Sequence, residues 1–296
     1  MTIRRAIADA CAALKTAGID TPSLDAALLL AHVLKISRAS LTARAAEALS
    51  QENLDEFLAL VERRRKGECA ACIIGKKEFR CLEFAVSPQV LVPRPDTETL
   101  VEAAIAVVNE QIKISNGKAG SYDISSANSI SVLDLCTGSG AVAVSLKNEM
   151  PFLDVHACDI SAEALEIAKS NAERLLGEKR IHFYQGDLYE ALPRSSFGLI
   201  ASNPPYIPTN EIKTLSAEVQ NEPRLALDGG KTGLEIISRI IDRSPDFLRR
   251  GGSILLEADP RQMEKIASLL AGKGFFDIKL YKDLSGQERV IGGIYG

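Results

Sequence analysis

The sequence predicts an α/β protein: a mostly parallel sheet covered by helices on both faces, ending in an antiparallel C-terminal hairpin and preceded by a small all-helical domain. Three observations carry this prediction. From residue 130 onward, short apolar runs alternate with amphipathic helical runs, the pattern of a parallel sheet wrapped by helices. From Ile3 to about Lys66 the periodicity is helical only. The chain has 296 residues, against roughly 100–200 for a typical domain, which suits two unequal parts.

In chain order, a helix Leu24–Leu34 follows Pro22 and Ser23, and another carries Leu54, Phe57, Leu58 and Val61 on one face with Ser50 as its N-cap. Arg63, Arg64, Arg65 and Lys66 end it before Gly67 and read as a solvated helix C-terminus rather than a nucleic-acid patch. These elements make up a domain over residues 1–67. Residues 68–95 are short, strand-like and punctuated by glycine, and read as a hairpin linker ending at Pro93 and Pro95. A domain over 96–296 then opens with a helix capped near Asp96 or Thr97 and running to about Gln111. Residues 112–130, rich in Ser, Gly, Lys and Asn, read as a surface loop. Strands follow at Ser131–Leu135, Asp154–Asp159, Ile181–Gln185, Gly198–Ser202 and Ser253–Glu257. Ala162–Leu176, Leu234–Phe247 and Pro260–Gly272 are helical, and Phe275–Lys282 with Glu288–Tyr295 form the terminal hairpin.

Composition narrows the class. With 46% hydrophobic and 25% charged residues, the chain can bury a core, which excludes a disordered, collagen-like or disulfide-scaffold protein. No apolar run reaches the roughly 18 residues of a membrane span, and Arg4, Arg5 and Asp9 interrupt the N-terminus, so a cytoplasmic location without membrane contact is expected. The net charge of −4 is uneven: residues 1–95 hold 14 basic and 11 acidic residues (+3), and residues 96–296 hold 21 and 28 (−7). That balance argues against coating nucleic acid. Cys69 and Cys72 form a C-x-x-C, but no second pair or neighbouring His completes a zinc site, so no metal is expected. His32, His156 and His182 show no base-like constellation.

Four segments carry chemistry. In Asp134-Leu135-Cys136-Thr137-Gly138-Ser139-Gly140, the glycines let a strand turn sharply into a helix whose N–H groups can face a ligand; a ligand-free turn would look similar. Asp159 ends the next strand, where a carboxylate can accept from both hydroxyls of a ribose in a dinucleotide or in S-adenosylmethionine, or simply cap the helix from Ala162, a role that Asp159 or Ser161 could play. Asp187 after Gly186 can accept from an adenine amino group, with Leu188 packing on the ring. Ser202-Asn203-Pro204-Pro205-Tyr206 closes the fourth strand at its carboxyl end, where open α/β sheets place ligands. Two prolines stiffen this loop. Asn203 can orient a planar amide or amino group, the following carbonyl can accept its second hydrogen, and Tyr206 can pack flat against it.

These residues, in this order, resemble a Rossmann-like, S-adenosylmethionine-dependent methyltransferase acting on amino or amide nitrogen. The tracts Gly67-Glu68 to Phe79, Val92–Glu98 (VPRPDTE), Glu222–Leu227 (EPRLAL) and Gly286–Arg289 (GQER) further resemble the release factor glutamine N5-methyltransferases (the PrmC/HemK family) over nearly the whole chain. The resemblance implies transfer of a methyl group from S-adenosyl-L-methionine to the glutamine side chain in the Gly-Gly-Gln (GGQ) loop of peptide chain release factors, with the N-terminal helices helping to recognise the factor. It implies cofactor contacts from Cys136, Thr137, Gly138, Ser139, Gly140, Asp159, Asp187, Leu188 and Asn203. Asn203, Pro204, Pro205 and Tyr206 would form the catalytic, substrate-holding loop, with Arg94 and Thr97 also touching substrate. The chain departs from the family where Cys136 replaces the usual glycine, Cys69 and Cys72 replace proline and tyrosine, and Glu257-Ala258-Asp259-Pro260 replaces a small-residue pattern. The alternative is a nucleic-acid amino-methyltransferase acting on adenine N6 or guanine N2, which uses the same tetrapeptide on a flipped base. It should carry a basic groove, whereas the methyltransferase part is acidic. A nicotinamide-linked oxidoreductase would leave Asn203–Tyr206 unexplained, and a non-catalytic cofactor-binding protein would need no amide clamp.

Overall fold

The computed structural model describes residues 1–119, 130–193 and 196–296, without the side chains of 115–119. The chain forms two compact units, Met1–Lys76 with Leu215–Asn221, and Lys77–Thr214 with Glu222–Gly296.

The first unit packs α1 (Ile3–Thr16), α2 (Pro22–Leu34), α3 (Arg38–Ala43), α4 (Gln51–Arg65) and α5 (Ala70–Ile74) around Ile3, Leu14, Leu29, Leu30 and Phe57. Ser50 caps α4 by accepting from the Asn53 N–H. Arg64 departs from the solvated reading of its basic run. It is 3% exposed, bonds Asp25 at 2.7 Å and Glu218 at 2.6 Å, and also donates to the Glu68 carbonyl. A buried guanidinium is tolerable only with such carboxylates, and Glu218 lies too far along the chain for periodicity to reveal it. Residues 70–74 are helical rather than strand-like, because Cys69 caps them: its Sγ accepts from the Cys72 N–H at 3.2 Å.

A two-stranded hairpin, β1 (Lys76–Phe79) and β2 (Leu82–Ala85), begins at the last residue of the Met1–Lys76 segment and leads in the second unit to a long helix, α6 (Thr97–Ala119). This helix passes the expected end at Gln111. Gln111 is itself anchored, donating to the Gly198 carbonyl at 2.8 Å, and Ile112 packs on the core, so nothing stops the helix there. Of the expected loop, residues 120–129 lie outside the described residues.

The strands β3 (Ser131–Leu135), β4 (Asp154–Asp159), β5 (His182–Gln185), β6 (Phe197–Ser202), β7 (Leu248–Glu257), β8 (Phe275–Lys282) and β9 (Glu288–Tyr295) form one sheet in the order β5-β4-β3-β6-β7-β9-β8. Pairings are parallel from β5 across to β7, and β9 is antiparallel to both β7 and β8. Alternate residues serve opposite faces. Val132, Val155, Ala157 and Leu199 pack under α6, α7 (Ala141–Glu149) and α8 (Ala162–Leu176). After the short helices α9 (Ala217–Gln220) and α10 (Arg224–Leu227) in the chain come α11 (Glu235–Arg243) and α12 (Met263–Gly272), under which Leu133, Leu135, Ile200 and Ile254 pack. The expected helix Leu234–Phe247 is therefore shorter: Pro245 turns its end into the 3₁₀ turn Ser244–Asp246. Likewise, the stretch from Pro260 begins as a 3₁₀ turn, Pro260–Gln262, before α12. The winding reverses at β3, with β4 on one side and β6 on the other, so a crevice opens beyond Leu135, Asp159, Gln185 and Ser202. Among the described residues, no helix is long and apolar enough to cross a membrane.

Candidate active site

The loop after β3 is built by hydrogen bonds from its own neighbours. Buried Asp134 accepts from the Thr137 hydroxyl at 2.6 Å and from the Ala143 N–H at 3.1 Å, tying the turn to the first turn of α7. Burial pushes the Asp134 carboxyl up to about 7, against those two bonds. Cys136 sits at φ 60, a region that costs a side chain about 1–2 kcal/mol, which accounts for glycine there in the resembling family. Its thiol is held protonated by burial and by the Asp159 carboxylate. Gly140 does not line the crevice. It stands at φ 82, where an added Cβ would lie 3.2 Å from the Ala168 Cβ, so this glycine lets α7 and α8 approach closely.

Asp159 is held from two sides. Its Oδ2 accepts from the Gly138 N–H at 2.8 Å and its Oδ1 from the Ser161 N–H at 3.0 Å. The cap of α8 is the Ser161 hydroxyl, which accepts from the Ala164 N–H. Asp159 is therefore free of the capping role and lines a cleft of about 250 Å³ with Cys136, Gly138, Asp187, Leu188, Asn203 and Pro205. Burial raises the Asp159 pKa, opposed by the N–H groups it accepts from. One Asp187 oxygen is taken by Arg239 at 2.7 Å, leaving the other open to the cleft. Thr137 and Ser139 line a smaller extension of about 40 Å³, beside Arg94, Thr97 and Asn203.

Asn203 borders both spaces. Its Nδ2 donates to the Thr97 hydroxyl at 3.1 Å, which leaves Oδ1 as the acceptor available to the cleft. Behind this pair lies Glu257, 1% exposed at the end of β7. Burial pushes its carboxyl up to about 7, with the Thr97 and Asn203 side chains favouring the ionised form. The tracts that carry the family resemblance meet in this region: Arg94 pairs with buried Glu222 at 2.7 Å, and Asp96 pairs with Arg289 at 3.2 Å.

The Tyr206 ring is not part of either lining. It packs against the core beneath α11 and α12, and its carbonyl accepts from the Gln262 amide at 2.9 Å. The loop also passes close to Gly233, at φ 76, where an added Cβ would collide with the Tyr206 carbonyl oxygen. Glu257 stood out in the sequence only as part of a departure from the family pattern, and Gln262 and Gly233 were not singled out. A buried acid ending a strand was the one legible signal among them.

The fold, with a glycine turn and a strand-end acid at its switch point, is that of a Rossmann-like methyltransferase. Two solved structures share it: a methyltransferase from Pyrococcus furiosus (TM-score 0.51, 17% identity, covering 74% of this chain and 92% of that one) and the hMettl16 catalytic domain in complex with a MAT2A 3′UTR hairpin (TM-score 0.56, 14% identity, covering 86% and 85%). Family models match the PrmC N-terminal domain over residues 5–75 and the Methyltransferase small domain over residues 123–222. The release factor glutamine methyltransferase of Vibrio cholerae is 37% identical, covering 100% of this chain and 97% of the relative, and that of Rhodopirellula baltica is 40% identical, covering 93% and 90%. The chain belongs to the release factor glutamine methyltransferase family.

Proposed function

We propose that this enzyme transfers the methyl group of S-adenosyl-L-methionine to the side-chain amide nitrogen (N5) of the glutamine in the GGQ motif of peptide chain release factors. Family membership supports the reaction class, and the observation that carries the reading is Asn203, anchored by Thr97 with Oδ1 left to the cleft. The residues present fit the cofactor. Asp159 offers acceptor lone pairs to a ribose, the free Asp187 oxygen suits an adenine amino group, and Leu188 supplies an apolar wall.

Bound S-adenosylmethionine supplies an activated sulfonium methyl group. The glutamine amide nitrogen is a poor nucleophile because its lone pair is delocalised, so the chain's task is alignment and exclusion of water. Asn203 Oδ1 and the Pro204 carbonyl accept the two amide hydrogens, which turns the lone pair toward the methyl. The same acceptors would stabilise the positive charge that the amide nitrogen gains on taking up the methyl group, and its surplus proton would leave to water. No histidine lines the cleft among the described residues.

Glu257 gives this arrangement a pH dependence. Its carboxyl is pushed up to about 7, so above that pH it is ionised and accepts from Asn203 Nδ2, which strengthens Oδ1 as an acceptor. The kcat profile is expected to rise through this range. Glu257→Gln, fixed in the neutral form, should be several-fold slower and flat. A rising limb that persists in the variant would place the titration elsewhere, Asp134 included.

Incubation of the enzyme with methyl-tritiated S-adenosylmethionine and a release factor tests the reading. Label is expected in the factor, and it should vanish when the GGQ glutamine is changed to alanine. Label in tRNA or DNA instead, or in a factor lacking that glutamine, would overturn it.

A further inference from the structure

Two of the three histidines that sequence left unconnected come together at the end of the sheet opposite the cleft. Asp154 and His156 are i and i+2 on β4 and so share a face, and β4–β5 pairing sets His182 directly beside His156. His156 Nε2 lies 3.0 Å from Asp154 Oδ2, and His182 Nε2 lies 3.3 Å from Asp154 Oδ1. The two imidazoles stack, centroids 4.7 Å apart, so both aim the same nitrogen at one carboxylate. The three donor atoms lie within 4.8 Å of one another.

We propose that Asp154, His156 and His182 form a binding site for a divalent transition-metal ion of the zinc class, held at the amino ends of β4 and β5. Ligands about 2.1 Å from a tetrahedral ion stand about 3.4 Å apart; each imidazole nitrogen already lies near that distance from its own oxygen of the shared carboxylate, and small side-chain adjustments within the 4.8 Å cluster would close all three on one ion. Two imidazoles and one carboxylate favour zinc-like ions over magnesium or calcium, which take oxygen. The outer partners that orient such ligands are also in place. His156 Nδ1 meets the Tyr184 hydroxyl at 3.1 Å, which fixes the ring with Nε2 inward, and the Ser131 hydroxyl donates to Asp154 Oδ2 at 3.0 Å. Asp154 and His182 are about half exposed, so an ion can enter and water can complete its coordination. The Lys147 ammonium, anchored on the Leu153 carbonyl, also feels Asp154 and weakens the pull on a further cation, so micromolar affinity is expected. Asp159, which lines the cleft, is five residues from Asp154 on the same strand, or about 16 Å away at ~3.3 Å per residue. The ion would therefore join two strands without touching the methyl-transfer chemistry.

Calorimetric titration of the full chain with Zn²⁺ tests this, in a Cys69→Ser/Cys72→Ser/Cys81→Ser background that removes the C-x-x-C pair and the exposed Cys81 thiol. One ion per chain is expected. His182→Ala, at an exposed position that should not disturb folding, should weaken binding at least ~100-fold, as should Asp154→Asn, while Tyr184→Phe should cost about tenfold through the outer partner. Absence of saturable binding, or an affinity unchanged in His182→Ala, would overturn the site. Methyl transfer by His182→Ala should equal that of its parent, which keeps this outcome separate from the proposed reaction.

Discussion

Replacement of Asn203 by alanine is expected to lower kcat by about two to three orders of magnitude, the scale for one lost transition-state hydrogen bond at a preorganised site. The affinity for S-adenosylmethionine should change by no more than a few-fold, because the adenosine-facing residues Asp159, Asp187 and Leu188 are untouched. Rapid-quench turnover with saturating release factor, set beside calorimetric cofactor binding, separates the two quantities. A Kd that rises in step with the loss of kcat would make Asn203 a binding residue and remove the clamp. Thr97→Val supplies the control. It leaves Asn203 in place but deletes the 3.1 Å anchor of its Nδ2, so the amide can rotate and a smaller fall in kcat is expected.

Asp159→Ala should instead act on binding, raising the Kd for S-adenosylmethionine on the order of 100-fold. Each charge-assisted hydrogen bond to a ribose hydroxyl contributes about 1.5–3 kcal/mol, and the same change releases the Gly138 N–H that shapes the loop. Helix α8 should keep its stability, because Ser161 provides the cap. Calorimetry and a thermal melt read both effects. A large loss of Tm with unaltered cofactor affinity would return Asp159 to a purely structural role.

Much of this architecture could be read from sequence because it is written in local periodicity. Ser131–Leu135, Asp154–Asp159, Phe275–Lys282 and Glu288–Tyr295 stand where apolar runs bounded by polar turns placed them, and Ser161 marked the start of Ala162–Leu176. What failed depended on partners distant in the chain. The helix from Thr97 continues past Gln111 because that side chain finds the Gly198 carbonyl, and Arg64 is buried because Glu218 meets it. The residues of the candidate site could be named singly, but their relations could not. Thr97, Asn203 and Glu257 come from three separate segments, and only packing shows that they touch. The Tyr206 ring was expected to pack against the substrate; it packs against the core instead, while its backbone carbonyl accepts from Gln262, a partner 56 residues along the chain.

The make-up of the first unit bears on its biosynthesis. Glu218 completes the surroundings of Arg64, and Asn221 Nδ2 donates to the Gly67 carbonyl, yet both lie about 150 residues downstream of the helices they join. During translation the N-terminal helices emerge long before these partners, and Arg64 has Asp25 alone for a carboxylate until residue 218 has left the ribosome. The leading helices are therefore completed only when most of the sheet-bearing chain has already been made. A fragment ending at Lys76 should, for the same reason, be an incomplete version of the unit rather than an autonomous domain.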